Sequence, residues 1–565
     1  MSFEQALDVA AERLLAIREE SGPAAIFNYR SGGSLGLLKS FVDRFFEGFG
    51  PVTVKSGDIC SGAGEAAQLL DFGVSDSNDL FDLEASRHIY LWGKNPFASN
   101  IHLIPVLKRA CAAGATVTLI DPVHHKGASL ADRVVRPRPG GDVDLAFGVV
   151  RVLLDGDRLP AAARESCDNL EAFLDLVRRK TVEEYARDAC VEVAVLRDVA
   201  DEFATGPTAI LVGWGLQRRR NGGATVRALD ALSAVSGNLF RSGGGCSFYF
   251  GRRTAFDPIH TEEAARRVRE PMFGPDVLAA KDPPIRAIWI TAGNPVCMLP
   301  DSAQVDRALD QTEFVVVVDP FLTDTGRRAD LVIPVPTLLE DEDLVGSYGH
   351  HFLGASRSVV PPPVGVLHEV ELFQALGRRV GLEDHLAGSI AEWKGRMLRR
   401  LHAEGVTIEA LEAGGVRNPF AKPVLFPDGK VQTASGRVNL MTSRNGAEAV
   451  AQTADYPLWL FCNSTEKSQA SQWAGAGLGE HTWVVVHPDA APGFEAGDTV
   501  RIESALGTVV AELRFDDQQR SDVAIMPKGG HVDRGHSANS LIEAHPTDIG
   551  LGAAYLDCRV AIRSL

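Results

Sequence analysis

The sequence predicts an α/β protein with two pseudo-symmetric doubly wound parallel-sheet domains and a C-terminal β-barrel domain. Three observations carry this. Up to about residue 380, short continuous apolar runs alternate with helix-like segments. Two of those stretches repeat one pattern nearly two hundred residues apart. From about residue 456 the text changes to β-branched residues in alternation with polar ones, punctuated by glycine.

The chain opens on "MSFEQALDVAAERLLAIREE", in which Phe3, Leu7, Ala10, Leu14 and Ile17 fall near helical spacing. Ser2 and Gln5 suit a capping box at its start. The runs "RHIYLWG", "TVTLIDP", "TAILVGWG", "IRAIWITAGNP" and "FVVVVDP" each have strand length and end in Gly, Asp or Pro. Strands buried on both faces read this way, as in parallel sheets covered by helices. In the last hundred residues, Val509, Ala511, Leu513 and Phe515 alternate onto one face, and "WVVVHPDA", "DVAIMPKGG" and "CRVAIRSL" supply further strands. A small barrel follows from these. The expected division is 1–55 with 256–380 as one α/β domain, 56–255 as the other, 381–455 as a connecting region and 456–565 as the barrel.

The repeated pattern runs strand, Gly-(Lys)-Asn-Pro loop, helix, strand, Asp-Pro, loop, Ala-Asp, strand. Asn95 precedes Asp121 by 26 residues and Asn294 precedes Asp319 by 25; Asp121 to Asp132 and Asp319 to Asp330 are both 11. In a doubly wound sheet, ligands sit beyond the carboxyl ends of the strands. A strand-ending carboxylate can accept two hydrogen bonds from a ribose diol or a guanine N–H edge, and a Gly-Asn-Pro loop lets phosphates approach the backbone. Any α/β protein can end a strand in Asp-Pro. Two copies with matching internal spacing favour two nucleotide-like half-sites.

Composition narrows the field. With 74 acids against 57 bases the net charge is −17, which argues against a general nucleic-acid binder. No apolar run reaches about 18 residues, so no membrane insertion is expected, and the acid-rich N-terminus is unlike a signal peptide. The eight cysteines form no CxxC pair, hence no zinc or iron–sulfur ligand set, and their wide spread fits reduced thiols in the cytoplasm.

Taken in order, "DICSGAGEAA", "WGKNPFAS", "IDPVHHKGASLAD", "RPGGDVDLA", "VGWGLQRRRNGG", "TAGNPVCMLP", "DPFLTDTGRRADLVIP" and "HPDAAPGFEAGDTVRIES" resemble the molybdopterin-guanine-dinucleotide oxidoreductases, the dimethyl sulfoxide reductase family. The resemblance spans almost the whole chain. It implies bis-molybdopterin guanine dinucleotide around one Mo or W ion, and two-electron or oxygen-atom transfer on a small-molecule substrate. Two similar dinucleotides would account for two similar half-sites. Carried over residue by residue, it implies that Gly93, Asn95, Ser99 and Asp121 line one dinucleotide, with Gly141 and Asp142 nearby, although Gly stands where the family writes Thr in its G-T-D. Gly213, Gly215 and Gln217 would face the metal; of Arg218, Arg219 and Arg220, which follow a Gly-rich strand end, one would pair with a phosphate or anionic substrate. Asn294, Asp319 and Thr323 would serve the second dinucleotide. Asn463, His481, Asn539 and Asp548 would contact the pterins from the terminal domain. Cys60 is the implied metal ligand, since a thiolate is a soft anionic donor; by its chemistry alone it reads more readily as a small buried apolar residue, and its place in the family pattern reverses that. Catalytic roles fall to Cys60, Gln217 and Arg218.

Two departures matter. The family opens with a cysteine cluster for a 4Fe–4S centre, whereas this chain begins at the helix that follows it, so no iron–sulfur cluster is expected from this chain. Electrons would then pass through a separate iron–sulfur electron-transfer subunit; a truncated sequence or a non-catalytic scaffold subunit that keeps the fold in a larger complex are the alternatives. Ser61 follows Cys60 where formate dehydrogenases carry His, which disfavours formate oxidation.

Overall fold

The computed structural model describes residues 1–261, 263–444, 453–466, 470–471 and 480–565. The chain forms two units: Met1–Ser56 with Arg252–Phe420 and His531–Asp533, and Gly57–Gly251 with Ala421–Gly530 and Arg534–Leu565. Residues 445–452 of the expected connecting region lie outside the described residues.

In the first unit a six-stranded, all-parallel sheet runs in the order Leu331–Ile333, Phe314–Val318, Ala287–Thr291, Ile26–Arg30, Thr53–Ser56, Arg266–Arg269. Phe314–Val318 and Ala287–Thr291 are buried at every position, the consequence of apolar side chains on both faces. The N-terminal helix Phe3–Ser21 starts at the expected capping box, with Gln5 N–H donating to Ser2 Oγ at 3.2 Å and Ser2 N–H to Gln5 Oε1 at 2.8 Å. Its Leu7, Ala10, Leu14 and Ile17 join Phe45, Trp289, Phe373 and Trp393 in one core.

In the second unit a five-stranded parallel sheet takes the order Arg133–Val135, Thr116–Ile120, His88–Trp92, Thr208–Val212, Cys246–Ser247. Its core includes Ile89, Leu91, Leu107, Val117, Leu119 and Leu211. The C-terminal strands close into a six-stranded barrel ordered Leu458–Asn463, Val523–Pro527, Thr482–Val486, Thr508–Phe515, Thr499–Glu503, Arg559–Arg563. Val509, Ala511 and Leu513 point into it as the alternation requires, while Phe515 is half-buried. Closure leaves no unpaired sheet edge. The parallel sheets and the barrel are thus both present. No helix among the described residues is long and apolar enough to cross a membrane.

Candidate active site

The two copies of the repeated pattern fold alike to the level of single hydrogen bonds, one in each unit. In the second unit Asp121 N–H donates to Val135 O at 3.1 Å, and Asp121 Oδ1 accepts from Val123 N–H at 2.9 Å. In the first, Asp319 N–H donates to Ile333 O at 3.3 Å, and Asp319 Oδ1 accepts from Phe321 N–H at 2.9 Å. Each aspartate ends its strand and turns the chain with one carboxylate oxygen. At Asp121 the second oxygen meets His125 Nε2 at 3.3 Å. Asp319 has no such neighbour among the described residues, and burial raises its carboxyl to about 6, against the Phe321 hydrogen bond that lowers it.

The rest of each half-site is built from short-range caps. Asn95 and Asn294 both sit at the N-caps of one-turn helices, Pro96–Ser99 and Pro295–Met298. Asn95 Oδ1 accepts from Phe97 N–H at 3.2 Å, and Ser99 Oγ donates back to Asn95 O at 3.1 Å on the exposed side of the turn. Asn294 Oδ1 instead accepts from Thr325 Oγ1 at 2.6 Å, which ties the Asn-Pro loop to the loop carrying Asp319 and Thr323. Thr323 Oγ1 accepts from Gly326 N–H at 3.1 Å.

Gly93 and Gly213 end adjacent parallel strands and lie so close that a Cβ on Gly213 would meet Gly93 O at 1.7 Å. Lys94, between Gly93 and Asn95, is half-buried, and desolvation lowers its pKa to about 8. Gly141 caps the helix Asp142–Asp155. Asp142 is buried and accepts from Trp92 Nε1 at 2.9 Å; burial raises its pKa, and the indole bond opposes the rise.

Cys60 lies on the turn before the helix Gly62–Phe72 and is half-buried. Asp58 Oδ1 accepts from the N–H groups of Cys60 at 2.6 Å and Ser61 at 3.1 Å, an Asx turn that fixes where the sulfur emerges. The fully buried Gln217 holds the same turn from the Gly213–Gly222 loop. Its Nε2 donates to Cys60 O at 2.7 Å and to Trp214 O at 3.2 Å, and its Oε1 accepts from Ala63 N–H at 3.0 Å and Gly64 N–H at 3.3 Å. Both ends of the amide are spent on backbone. Gly215 supplies the turn that presents Arg218, whose N–H reaches Gly215 O at 3.1 Å.

The glycines after Cys60 allow close approach of distant parts of the chain. A Cβ on Gly62 would meet Gly550 O at 2.5 Å, and one on Gly64 would meet the Phe248 ring at 2.1 Å. The protein's own chain fills the space that their missing side chains leave.

The three consecutive arginines separate by partner. Arg219, 4 % exposed, bonds Asp557 Oδ1 and Leu556 O at 2.8 Å each and stacks on Trp459 and Phe461. Arg220 pairs with Glu543 at 3.0 Å. Arg218 has no carboxylate at ion-pair distance among the described residues, and its NH2 group donates to Cys60 O at 3.4 Å.

In the terminal region, Asp548 accepts from Gly223 N–H at 2.8 Å and Ala224 N–H at 2.9 Å, so both oxygens cap the helix Gly222–Val235. Asn463 ends a barrel strand and accepts from Lys528 N–H at 2.8 Å through its carbonyl. Asn539 is buried on a short 3₁₀ turn, and His481 is exposed at the foot of the strand Thr482–Val486.

Lys528, on the loop after the strand Val523–Pro527, was not singled out from sequence. It is 7 % exposed. Desolvation first, then repulsion from Arg218, lowers its pKa to about 8, against the pull of Cys60, Cys462 and Asp58. A single Lys in "MPKGG" carries no spacing signal.

The chain belongs to the molybdopterin oxidoreductase family, whose sequence pattern it matches over residues 1–379, followed by a molybdopterin dinucleotide-binding domain over 461–559. It is an oxidoreductase of the dimethyl sulfoxide reductase type. Its relatives include the "Probable oxidoreductase YyaE" of Bacillus subtilis, 31% identical with all of this chain and 89% of that protein covered. The biotin sulfoxide reductase of Cereibacter sphaeroides is 24% identical over 99% of this chain and 88% of its own length. The trimethylamine-N-oxide reductase of Haemophilus influenzae is also 24% identical, over 94% of this chain and 78% of its own. Among solved structures, the acetylene hydratase of Pelobacter acetylenicus shares the fold with a TM-score of 0.85 at 20% identity, over 100% of this chain and 89% of that one.

Proposed function

We propose that the protein is a molybdenum- or tungsten-dependent oxidoreductase carrying bis-molybdopterin guanine dinucleotide. It moves two electrons, or an oxygen atom, to or from a small substrate and exchanges electrons with a separate iron–sulfur subunit. The observation that carries this reading is the matched hydrogen-bond scheme at Asp121 and Asp319, which supports two equivalent places for a dinucleotide tip.

The residues present suit such a group. Among the described residues no cluster of three or more His, Cys, Asp and Glu could hold a metal. The dithiolene sulfurs of two pterins would complete a soft ligand set beside the one sulfur of Cys60. When bound, the metal supplies two oxidation states two electrons apart.

The chain's own residues do the rest. Cys60 offers one soft sulfur, and Gln217 and Asp58 fix the turn that aims it. Asp121 and Asp319 accept from a ribose diol or guanine edge through the oxygen not used in the turn. Asn95, Ser99, Gly93, Gly213 and Lys94 form a bare, cationic edge fit for a pyrophosphate on one side; Asn294 and Thr323 shape the other half-site. Gly141, Asp142, Asn463, His481 and Asn539 border the dinucleotide path, while Asp548 steadies the helix behind Gln217 and Arg218. Arg218 faces the reacting end.

The test is metal and pterin analysis of protein made in a host able to assemble the cofactor, paired with Cys60→Ala. The wild type should contain Mo or W with pterin, and the variant should keep its fold but lose turnover. A wild type free of metal and pterin contradicts the proposal.

A further inference from the structure

In the second unit, among the described residues, Lys528 and Arg218 form no ion pair with a carboxylate, although the Asp58 charge acts on Lys528. Lys528 is buried, and among the described residues its ammonium makes no ion pair; the nearest aromatic face is Tyr555, with Nζ 5.8 Å from the ring centroid. Among the described residues the Arg218 guanidinium donates to the Cys60 carbonyl alone, and Arg218 is the strongest charge acting on Lys528, which it repels. The acid within reach, Asp58, spends Oδ1 on the amides of Cys60 and Ser61. Elsewhere in this unit Arg219 pairs with Asp557 at 2.8 Å and Arg227 with Asp71 at 2.7 Å. Burying an ammonium beside a like charge is unfavourable unless an anion joins them.

We propose that Lys528 and Arg218 together hold an anionic substrate, an oxyanion or carboxylate, next to Cys60, and that Lys528 is the specificity-determining residue of the site. This deepens the proposed function and rests on it. The fork of Arg218 suits two oxygens of one planar or tetrahedral anion, and the compact ammonium of Lys528 acts as a point charge on a third. A neutral substrate would leave the buried Lys528 and the half-buried Arg218 uncompensated, so the pair selects against it.

The experiment uses purified holoenzyme and azide, nitrate and neutral dimethyl sulfoxide as probes, with binding read from the metal's absorption and electron-spin signals. Wild type is compared with Lys528→Met and Lys528→Arg, and metal and pterin are counted in each. Expected are unchanged cofactor content, azide and nitrate binding weakened about tenfold or more in Lys528→Met, recovery to within about threefold in Lys528→Arg, and no loss of dimethyl sulfoxide binding. Equal anion binding in wild type and Lys528→Met overturns the inference. So does a fall in pterin content in Lys528→Met, which would make the ammonium a cofactor anchor. Should Lys528→Met fail to fold, a wild type that binds dimethyl sulfoxide but neither anion overturns it as well. A wild type without metal sinks the proposed function itself, a result distinct from these.

Discussion

Gln217 Nε2 donates to the carbonyl of Cys60 at 2.7 Å across 157 positions of sequence. The same amide accepts from the first turn of the helix that follows Cys60, so one side chain sets both the turn and the direction of the sulfur.

Replacing Gln217 with Leu, similar in volume, should orphan two buried N–H groups and release the Cys60 carbonyl. The expected cost is about 2–4 kcal/mol of stability, read as a lowered thermal midpoint, together with reduced metal content. A variant with wild-type midpoint and metal content would show that the amide does not position Cys60.

Cys60→Ser keeps a small polar side chain but replaces soft sulfur with hard oxygen. Turnover should fall by about 100-fold or more, while pterin content stays near wild type because the proposed dinucleotide half-sites lie elsewhere in the chain. Steady-state rates normalised to metal content measure this; unchanged turnover would remove Cys60 from the chemistry.

Within each copy of the repeated pattern the two aspartates divide the work. Asp132 Oδ2 accepts from Val117 N–H at 2.8 Å and Asp330 Oδ2 from Val315 N–H at 2.7 Å, stapling the strand that leads to Asp121 or Asp319. Asp330→Asn should therefore lower stability by about 1–2 kcal/mol with little effect on bound guanine nucleotide. Asp319→Asn should do the reverse, lowering guanine nucleotide per chain with a small change in midpoint. Nucleotide release and thermal unfolding of the two variants, side by side, decide between the roles.

A pH effect follows from the buried pair Asp71 and Asp230 on the helices Gly62–Phe72 and Gly222–Val235. Desolvation raises both, Asp230 to about 7, against hydrogen bonds from its Gln68 and Cys246 neighbours. The folded protein thus keeps a proton that the unfolded chain releases near 3.8. That contribution to stability is full below 3.8 and is lost as pH rises to about 7. Asp230→Asn should flatten this part of the stability profile, seen in unfolding midpoints from pH 4.5 to 8 set beside wild type. Parallel profiles would mean the pair holds no shared proton.

Much of this was legible in the sequence. The apolar runs "FVVVVDP" and "IRAIWITAGNP" became fully buried parallel strands because nothing polar interrupts them. Equal spacing from Asp-Pro to Ala-Asp marked two copies of one hydrogen-bonded edge. The alternation around Val509 to Leu513 gave a barrel face. What stayed hidden depends on partners far along the chain. Nothing local distinguishes Arg218 from Arg219, whose difference is Asp557, 338 residues away. Asp548 caps a helix that begins more than three hundred residues earlier. Gly62 and Gly64 were legible as sites of close approach, but not as places where Gly550 and Phe248 approach. Lys528 stands out only once its burial and its missing carboxylate are known.

The central claim is the proposed pair of dinucleotide half-sites, one in each unit, and counting tests it most directly. Mild acid hydrolysis of metal-replete protein should release two equivalents of GMP per Mo or W atom. One equivalent, or none, would contradict the account.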